Sequence, residues 1–339
     1  MRRSAAASPM TFWLDFACTW ATPFFLAPTP ASGDSNHTAA TEGSSTPKGQ
    51  HSSARFYGAD GQWIDYQLFV PTCASKKALP LVVMLHGHSQ ELDAFVTGTS
   101  MNEAAAAAGF AVLYPAQSSQ SHPQKCWHWF EPAHQQRDLG KPALLAALTR
   151  SVIQDHPIDA RKVYVAGLSA GGAMATVMGR EYPDLFAGVG VHSGLAAGVA
   201  HSVGSALASM RGELPPADAP NVAMPTIVFH GDADRLVDKA NGERIISACT
   251  GDVGGAEEHQ LHINERTCTR RLHRRANGTV LAEHWIIHDA GHAWSGGSTR
   301  GSFADAQGPD ASAEMLRFFA EQAPVRAKRS MRRTAAVTH

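Results

Sequence analysis

The sequence predicts an α/β protein with a mainly parallel, doubly wound sheet carrying helices on both faces. Two patterns carry the expectation. Short apolar runs rich in β-branched residues recur at 81–85, 110–114, 162–166, 187–191, 226–230 and 284–288, which is the length and composition of strands buried on both faces. Helical patterns fall between them at 101–108, 139–154 and 170–182, and strands alternating with helices build βαβ units. A last helix is expected at 310–321, with Met315, Leu316, Phe318 and Phe319 turned to the sheet. Ahead of the first parallel strand, apolar positions alternate over 56–70 around Gly58-Ala59-Asp60-Gly61, the mark of an opening hairpin. The interval 193–225 is too long for a tight connection and rich in Ala, Gly and Pro, so a small lid or a rim to a cleft is expected there.

Chemistry concentrates where the strands end. Gly167-Leu168-Ser169-Ala170-Gly171 follows the run Val163-Tyr164-Val165-Ala166 and opens the 170–182 helix. In that strand–turn–helix context the two glycines permit a turn too sharp for a Cβ, and the serine Oγ stands clear of the sheet edge. A nucleophilic serine needs a base for its proton and a buried acid to orient that base. The run 226–229 leads into His230-Gly231-Asp232-Ala233-Asp234, and 284–288 leads into Asp289-Ala290-Gly291-His292. Ser169 is therefore read as nucleophile, His292 as general base and Asp234 as the orienting acid, with Asp232 the competing acid. The chain order Ser, Asp, His is that of α/β-hydrolases. The oxyanion hole is assigned to the backbone N–H groups of Ala170 and of His88, which lies in the loop after 81–85. His86-x-His88 also has the spacing of a metal pair. No cysteine or carboxylate cluster completes a tetrahedral set near it in sequence, so no metal and no organic cofactor are expected.

The 339 residues are 44% hydrophobic and 17% charged, enough to bury a sizeable core. A net charge of −1 gives no electrostatic footprint for nucleic acid or an anionic membrane surface. No stretch approaches the ~20 apolar residues that span a bilayer, so no integral membrane association is expected. Three sections are expected: a signal-like segment plus flexible linker at 1–54, one catalytic domain at 55–322, and a basic disordered tail at 323–339. Met1-Arg2-Arg3, the apolar stretch 16–27 and Ala31-Ser32-Gly33 fit an export signal, although Asp15, Pro23 and Pro28 interrupt it. An extracellular or periplasmic location is the expectation, with the cytoplasm as the alternative. Cys18 belongs to the signal-like segment. Of the remaining Cys73, Cys126, Cys249 and Cys268, the last two flank a Gly- and charge-rich excursion that a disulfide would close. Asn36-His37-Thr38 and Asn277-Gly278-Thr279 fit a glycosylation pattern.

Taken in order, 81–90, Cys126-Trp127-His128-Trp129-Phe130, 161–172, Tyr182-Pro183-Asp184-Leu185-Phe186 and Gly291-His292-Ala293-Trp294-Ser295-Gly296-Gly297 resemble the PHB depolymerase family of esterases. That family is related to feruloyl and acetylxylan esterases. The resemblance covers residues 55–322 and implies an α/β-hydrolase fold, hydrolysis of carboxylic esters including short-chain polyhydroxyalkanoates, and the same roles for Ser169, Asp234 and His292. Family members often carry Cys where this chain has His88, which leaves Cys126 a free thiol. They also tend to have Gly and Glu where this chain has Asp138 and Lys141.

Trp294, Trp127 and Trp129 are read as an apolar substrate platform, Trp294 foremost because it lies two residues beyond His292. The expected activity is a serine esterase acting on poly(3-hydroxybutyrate)-type polyesters or their oligomers. One rival is feruloyl or acetylxylan ester cleavage, or peptide hydrolysis, on the same fold. The other, of a different class, is a catalytically silent binding module, whose mark would be a missing member of the Ser–Asp–His set. With no separate polymer-binding domain expected beside 55–322, oligomers or soluble esters are favoured over crystalline polymer.

Overall fold

The computed structural model describes residues 47–72, 77–213, 223–251 and 255–322. The expectations for the signal-like segment, Cys18, Asn36, Cys73 and the basic tail lie outside the described residues. The first half of the chain forms β1 (Gly49–Tyr57), β2 (Trp63–Pro71), β3 (Leu79–Leu85), α1 (Leu92–Thr99), α2 (Met101–Ala108), β4 (Ala111–Ala116), α3 (Gly140–Asp155), β5 (Ile158–Leu168) and α4 (Ala170–Glu181). Then follow β6 (Gly188–His192), α5 (Val203–Met210), β7 (Thr226–Gly231), α6 (Ala240–Thr250), β8 (Glu257–Ile263), β9 (Arg266–Arg274), β10 (Val280–Ile287), β11 (Trp294–Ser295), β12 (Ala304–Asp305) and α7 (Ala311–Glu321).

Ten of these strands form one sheet in the order β1-β2-β4-β3-β5-β6-β7-β10-β9-β8. The six central strands, β4 to β10 in that order, pair in parallel. They are the six apolar runs of the sequence, and they sit centrally because only buried strands tolerate apolar side chains on both faces. Antiparallel pairs flank them: β1 and β2 on one side, β9 and β8 on the other. Val82 and Met84 join one apolar layer with Phe229, Trp285, Met315, Phe318 and Phe319, where α2 packs on α7. Leu81, Val83 and Leu85 alternate to the opposite face and are as fully buried; α3 and α4 pack on β5 there and on each other. This is the α/β-hydrolase architecture. Among the described residues no helix is long and apolar enough to cross a membrane.

Three expectations need correction. β1 begins at Gly49, inside the stretch expected to be linker, and pairs along its whole length from Gly49 opposite Pro71 to Tyr57 opposite Trp63. Its residues are mostly exposed, so its order comes from pairing with β2 rather than from apolar side chains. The charge-rich excursion after Cys249 is the hairpin β8–β9, an edge laced by Arg271–Glu258 and Arg274–Glu257 ion pairs, the kind of charged rim that discourages edge-to-edge association. Cys249 and Cys268 are not joined: both are buried free thiols, as is Cys126. Cys249 Sγ instead donates to the Ile246 carbonyl of its own helix.

One polar knot ties the last helix to the sheet. The Glu283 side chain on β10 is fully buried and accepts from Arg270 on β9 at 2.9 and 3.1 Å and from Arg317 on α7 at 2.7 and 2.9 Å. Trp285 Nε1 also donates to it at 3.2 Å. A buried carboxylate is tolerated only when its charge and lone pairs are all met. Glu283→Ala is expected to lower the free energy of unfolding by ~3 kcal/mol, since Arg270 and Arg317 lose their shared buried carboxylate together, Arg317 keeping only its partly exposed Glu314 and Glu321 pairs. Urea denaturation at neutral pH checks this; a loss under ~1 kcal/mol would mean that the apolar face alone holds α7.

Candidate active site

The turn at Ser169 forms because two side chains are missing on either side of it. A Cβ on Gly171 would lie 2.1 Å from the Leu85 carbonyl oxygen, and one on Gly167 would lie 2.4 Å from the Gly171 carbonyl carbon. The first turn of α4 therefore sits directly on the end of β3. Ser169 itself is held at φ 56° and ψ −119°, a region that β-carbon-bearing residues rarely occupy. Two backbone bonds hold it there: Ser169 N–H to the His192 carbonyl and Ala173 N–H to the Ser169 carbonyl, both 2.9 Å. The side chain is half-buried at the mouth of the sheet. Ala170 is the first residue of α4, so its N–H has no intrahelical acceptor.

Each acid has its own histidine. Asp234, in the loop after β7, has a fully buried side chain whose Oδ2 lies 2.7 Å from His292 Nδ1, and whose Oδ1 accepts the N–H groups of Leu236 and Val237 at 2.9 Å. Burial pushes the Asp234 carboxyl up, but the His292 bond and the Val237 amide outweigh it and keep the group below the usual aspartate range. The carboxylate is thus charged and saturated. Asp232 does something else. It bonds His288 Nδ1 at 2.7 Å and accepts the Asp289 N–H at 2.8 Å, closing the turn that follows β10. Asp232 and Asp234 differ by two positions in sequence and point to different histidines. No hydrogen bond links Ser169 Oγ to His292 among the described residues, a link that often tightens only around substrate.

The loop after β3 is a fixed platform. His86 is buried, with Nδ1 against the Gly87 carbonyl at 2.8 Å and Nε2 accepting the Gln117 N–H at 3.0 Å. Both nitrogens are used, so the His86-x-His88 pair is not set for a metal. Gln90, also buried, accepts the Gly87 N–H at 2.8 Å and donates to the carbonyl of Ser302 at 3.0 Å. His88 follows in the same loop, which passes close enough to β5 that a Cβ on Gly87 would lie 3.7 Å from the Leu168 carbonyl oxygen. The loop is thereby held beside the turn that carries Ser169 and Ala170.

His192, which the sequence reading passed over, joins the two halves. Its carbonyl takes the Ser169 amide, while its Nε2 accepts the Ser295 N–H at 3.0 Å, three residues beyond His292. Its ring stacks between Phe229 and Trp294, at 5.9 and 5.3 Å between centroids. Its position at the end of the 187–191 strand, directly before Ser193, was the available signal. Trp294 is correspondingly 1% exposed, its Nε1 donating to Ser312 Oγ at 3.1 Å. Trp127 is fully buried with Nε1 on the His86 carbonyl at 2.9 Å, and Trp129 is 5% exposed. The expected tryptophan platform is corrected on this point: Trp127 and Trp294 are bonded inward to the protein, Trp129 packs edge-on to Phe130, and all three are buried in this structure.

Burial pushes the imidazole of His86 down to about 4 and those of His192 and His284 down to about 3. The unfolded chain protonates these rings below pH ~6.5, whereas the folded chain resists until its own lower values. Their contribution to stability is therefore complete above pH ~6.5 and is lost progressively as the pH falls below it, over a window reaching about 4 for His86 and about 3 for His192 and His284. Urea midpoints measured at pH 7.5 and pH 5 should differ accordingly; equal stability at both would contradict neutral burial of these rings.

The Esterase PHB depolymerase family model matches residues 64–254. The chain is 31% identical over 226 residues to a poly(3-hydroxyalkanoate) depolymerase C of Paucimonas lemoignei, covering 63% of this chain and 54% of that protein. It is 32% identical over 142 residues to a feruloyl esterase B of Neurospora crassa, covering 41% of this chain and 47% of that one. The chain thus spans about half the length of these curated relatives. An acetyl xylan esterase from Aspergillus awamori shares the fold, with a TM-score of 0.60 at 17% identity over 80% of this chain and 100% of that one. With the matched segment exceeding half of the sequence, the chain belongs to the Esterase PHB depolymerase family.

Proposed function

We propose that the protein is a serine hydrolase of carboxylic esters that works through an acyl-enzyme, with Ser169 as nucleophile, His292 as general base and Asp234 as its orienting acid. The observation that carries the reading is the 2.7 Å bond from His292 Nδ1 to a buried, saturated Asp234 carboxylate, at the sheet edge where Ser169 is held in a strained turn. Charge on Asp234 fixes the Nδ1–H tautomer of His292 and leaves Nε2 as the lone pair that accepts a proton. Ser169 Oγ attacks the ester carbonyl as His292 takes its proton. The oxygen that becomes negative is met by the N–H groups of Ala170 and His88. The alcohol leaves with the proton from His292, and water repeats the two steps on the acyl-enzyme. Asp232 is a turn staple in this reading, not the acid. The partner is an ester substrate, and no step needs a metal or organic cofactor.

For the substrate we propose poly(3-hydroxybutyrate)-type polyesters or their oligomers, a reading supported by the relative named a poly(3-hydroxyalkanoate) depolymerase. Feruloyl esters are the second reading, favoured by the relative from Neurospora crassa. Initial rates on 3-hydroxybutyrate oligomers, short p-nitrophenyl esters, methyl ferulate and acetylated xylan decide between them. Ser169→Ala should lower kcat on every accepted ester by at least ~10⁴-fold; activity that survives the change would remove Ser169 from the mechanism. A ferulate or xylan preference would replace the polyester assignment while leaving the chemistry intact.

The two acids can be separated in the same assay. Asp234→Asn should cost ~10³- to 10⁴-fold in kcat by losing the charge that holds the His292 tautomer. Asp232→Asn should cost less than ~10-fold, since it loosens a turn without touching His292. Equal losses, or the larger loss at Asp232, would reverse the assignment of the acid.

A further inference from the structure

A second cluster of chemically able side chains lies outside the Ser–His–Asp set. His128, Glu131 and His134 each offer one donor atom, and the three donors all lie within 4.8 Å of one another. Their spacing, His-x-x-Glu-x-x-His, folds onto one point because Glu131 opens the short 3₁₀ turn Pro132–Gln135 and the His134 N–H closes back on the Glu131 carbonyl at 2.8 Å. The two imidazoles stack at 5.9 Å between centroids, 11° from parallel. His128 Nδ1 stands 3.2 Å from Glu131 Oε1, and His134 Nδ1 stands 3.9 Å from Glu131 Oε2.

His134 Nδ1 is buried and makes no hydrogen bond, which leaves its lone pair or N–H open to an ion or a water. Burial pushes both imidazoles down, and the Glu131 carboxylate between them opposes that shift. Two imidazoles and one carboxylate suit a borderline divalent ion and suit calcium or magnesium poorly. Around tetrahedral Zn²⁺, with bonds of ~2.1 Å, donors lie ~3.4 Å apart. Side-chain adjustments of about an ångström bring the three donors to that spacing.

We infer that His128, Glu131 and His134 form a binding site for one Zn²⁺-class ion, with solvent in the remaining position. The site stands beside the loop that carries the proposed oxyanion donor: the His122 ring lies edge-on to His128 at 4.4 Å and 6.4 Å from the His88 ring. His122 Nδ1 in turn accepts the Cys126 N–H at 3.3 Å, next to the Trp127 that holds the His86 carbonyl. An ion here would close the segment from His128 to His134 on itself, beside that loop.

The test is calorimetric titration of the metal-stripped full chain with ZnCl₂ at neutral pH, on the wild type and on His134→Gln, Glu131→Gln and His259→Gln. His259 forms an exposed pair with Glu257 at 2.9 Å, and among the described residues no third donor completes a group there, so its variant reports surface binding. One equivalent bound by the wild type, weakened at least ~10-fold in His134→Gln and in Glu131→Gln and unchanged in His259→Gln, is the expected result. Glu131 is half-exposed, so its conservative variant keeps the test available if His134→Gln fails to fold. No saturable uptake, or equal affinity in the wild type and the Glu131 variant, or equal weakening by the His259 control, overturns the site.

Discussion

The closest backbone approach that organises the site is the seating of α4 on the end of β3. With the Leu85 carbonyl only 2.1 Å from where a Cβ of Gly171 would be, the helix start, the β3 loop and the turn at Ser169 form one rigid unit. Everything proposed for the chemistry depends on that contact. It brings the Ala170 amide and the His86–His88 loop to one side of the serine, and it forces Ser169 into the positive-φ conformation that lifts its Oγ from the sheet. The cost of that conformation is met by the parallel strands on either side, whose pairing fixes β3 against β5 from Leu81 opposite Val163 to Leu85 opposite Gly167.

Around this unit the protein uses neutral histidines as polar packing. His86 and His192 each set Nδ1 against the following residue and use Nε2 to accept an N–H from a distant loop, Gln117 or Ser295, and burial holds each imidazole well below its ordinary range. A longer apolar residue would fill the same volume but leave the Gln117 and Ser295 N–H groups without acceptors, a penalty of ~1–3 kcal/mol each. The tryptophans complete the arrangement. Trp127 and Trp294 spend their indole N–H groups on the protein itself, so the aromatic richness of the motifs serves loop placement. Recognition of substrate then falls to the loops and to main-chain groups at the sheet edge.

The same economy explains the paired acids. Two of the aspartates after β7 meet the two histidines after β10, and the fold sorts them into a closed turn, Asp232 with His288, and a buried couple, Asp234 with His292. Only the second couple has a fully buried carboxylate, where an ionic hydrogen bond is strongest and the tautomer most firmly set. At the far side of the β3 loop, the rings of His88, His122, His128 and His134 follow one another at 4.4 to 6.4 Å between centroids.

Short-range patterns in the sequence determined the six parallel strands, the helices at 101–108, 139–154, 170–182 and 310–321, and the serine turn, because periodicity and paired glycines act over a few residues and leave a local mark. The helices Leu92–Thr99, Val203–Met210 and Ala240–Thr250, the strands β8 and β9, and the length of β1 ahead of the expected hairpin were not legible. Their residues are largely exposed or weakly patterned, and they are ordered by neighbours distant in the chain. Tertiary structure alone decided which aspartate meets His292, that Cys249 and Cys268 stay apart, that the tryptophans face inward, and that His192 joins Ser169 to Ser295. Each is a contact between segments tens of residues apart or more, and in the chosen and rejected partners alike the local sequence is equally suitable. Only the packing of the sheet fixes the distance and direction that select between them.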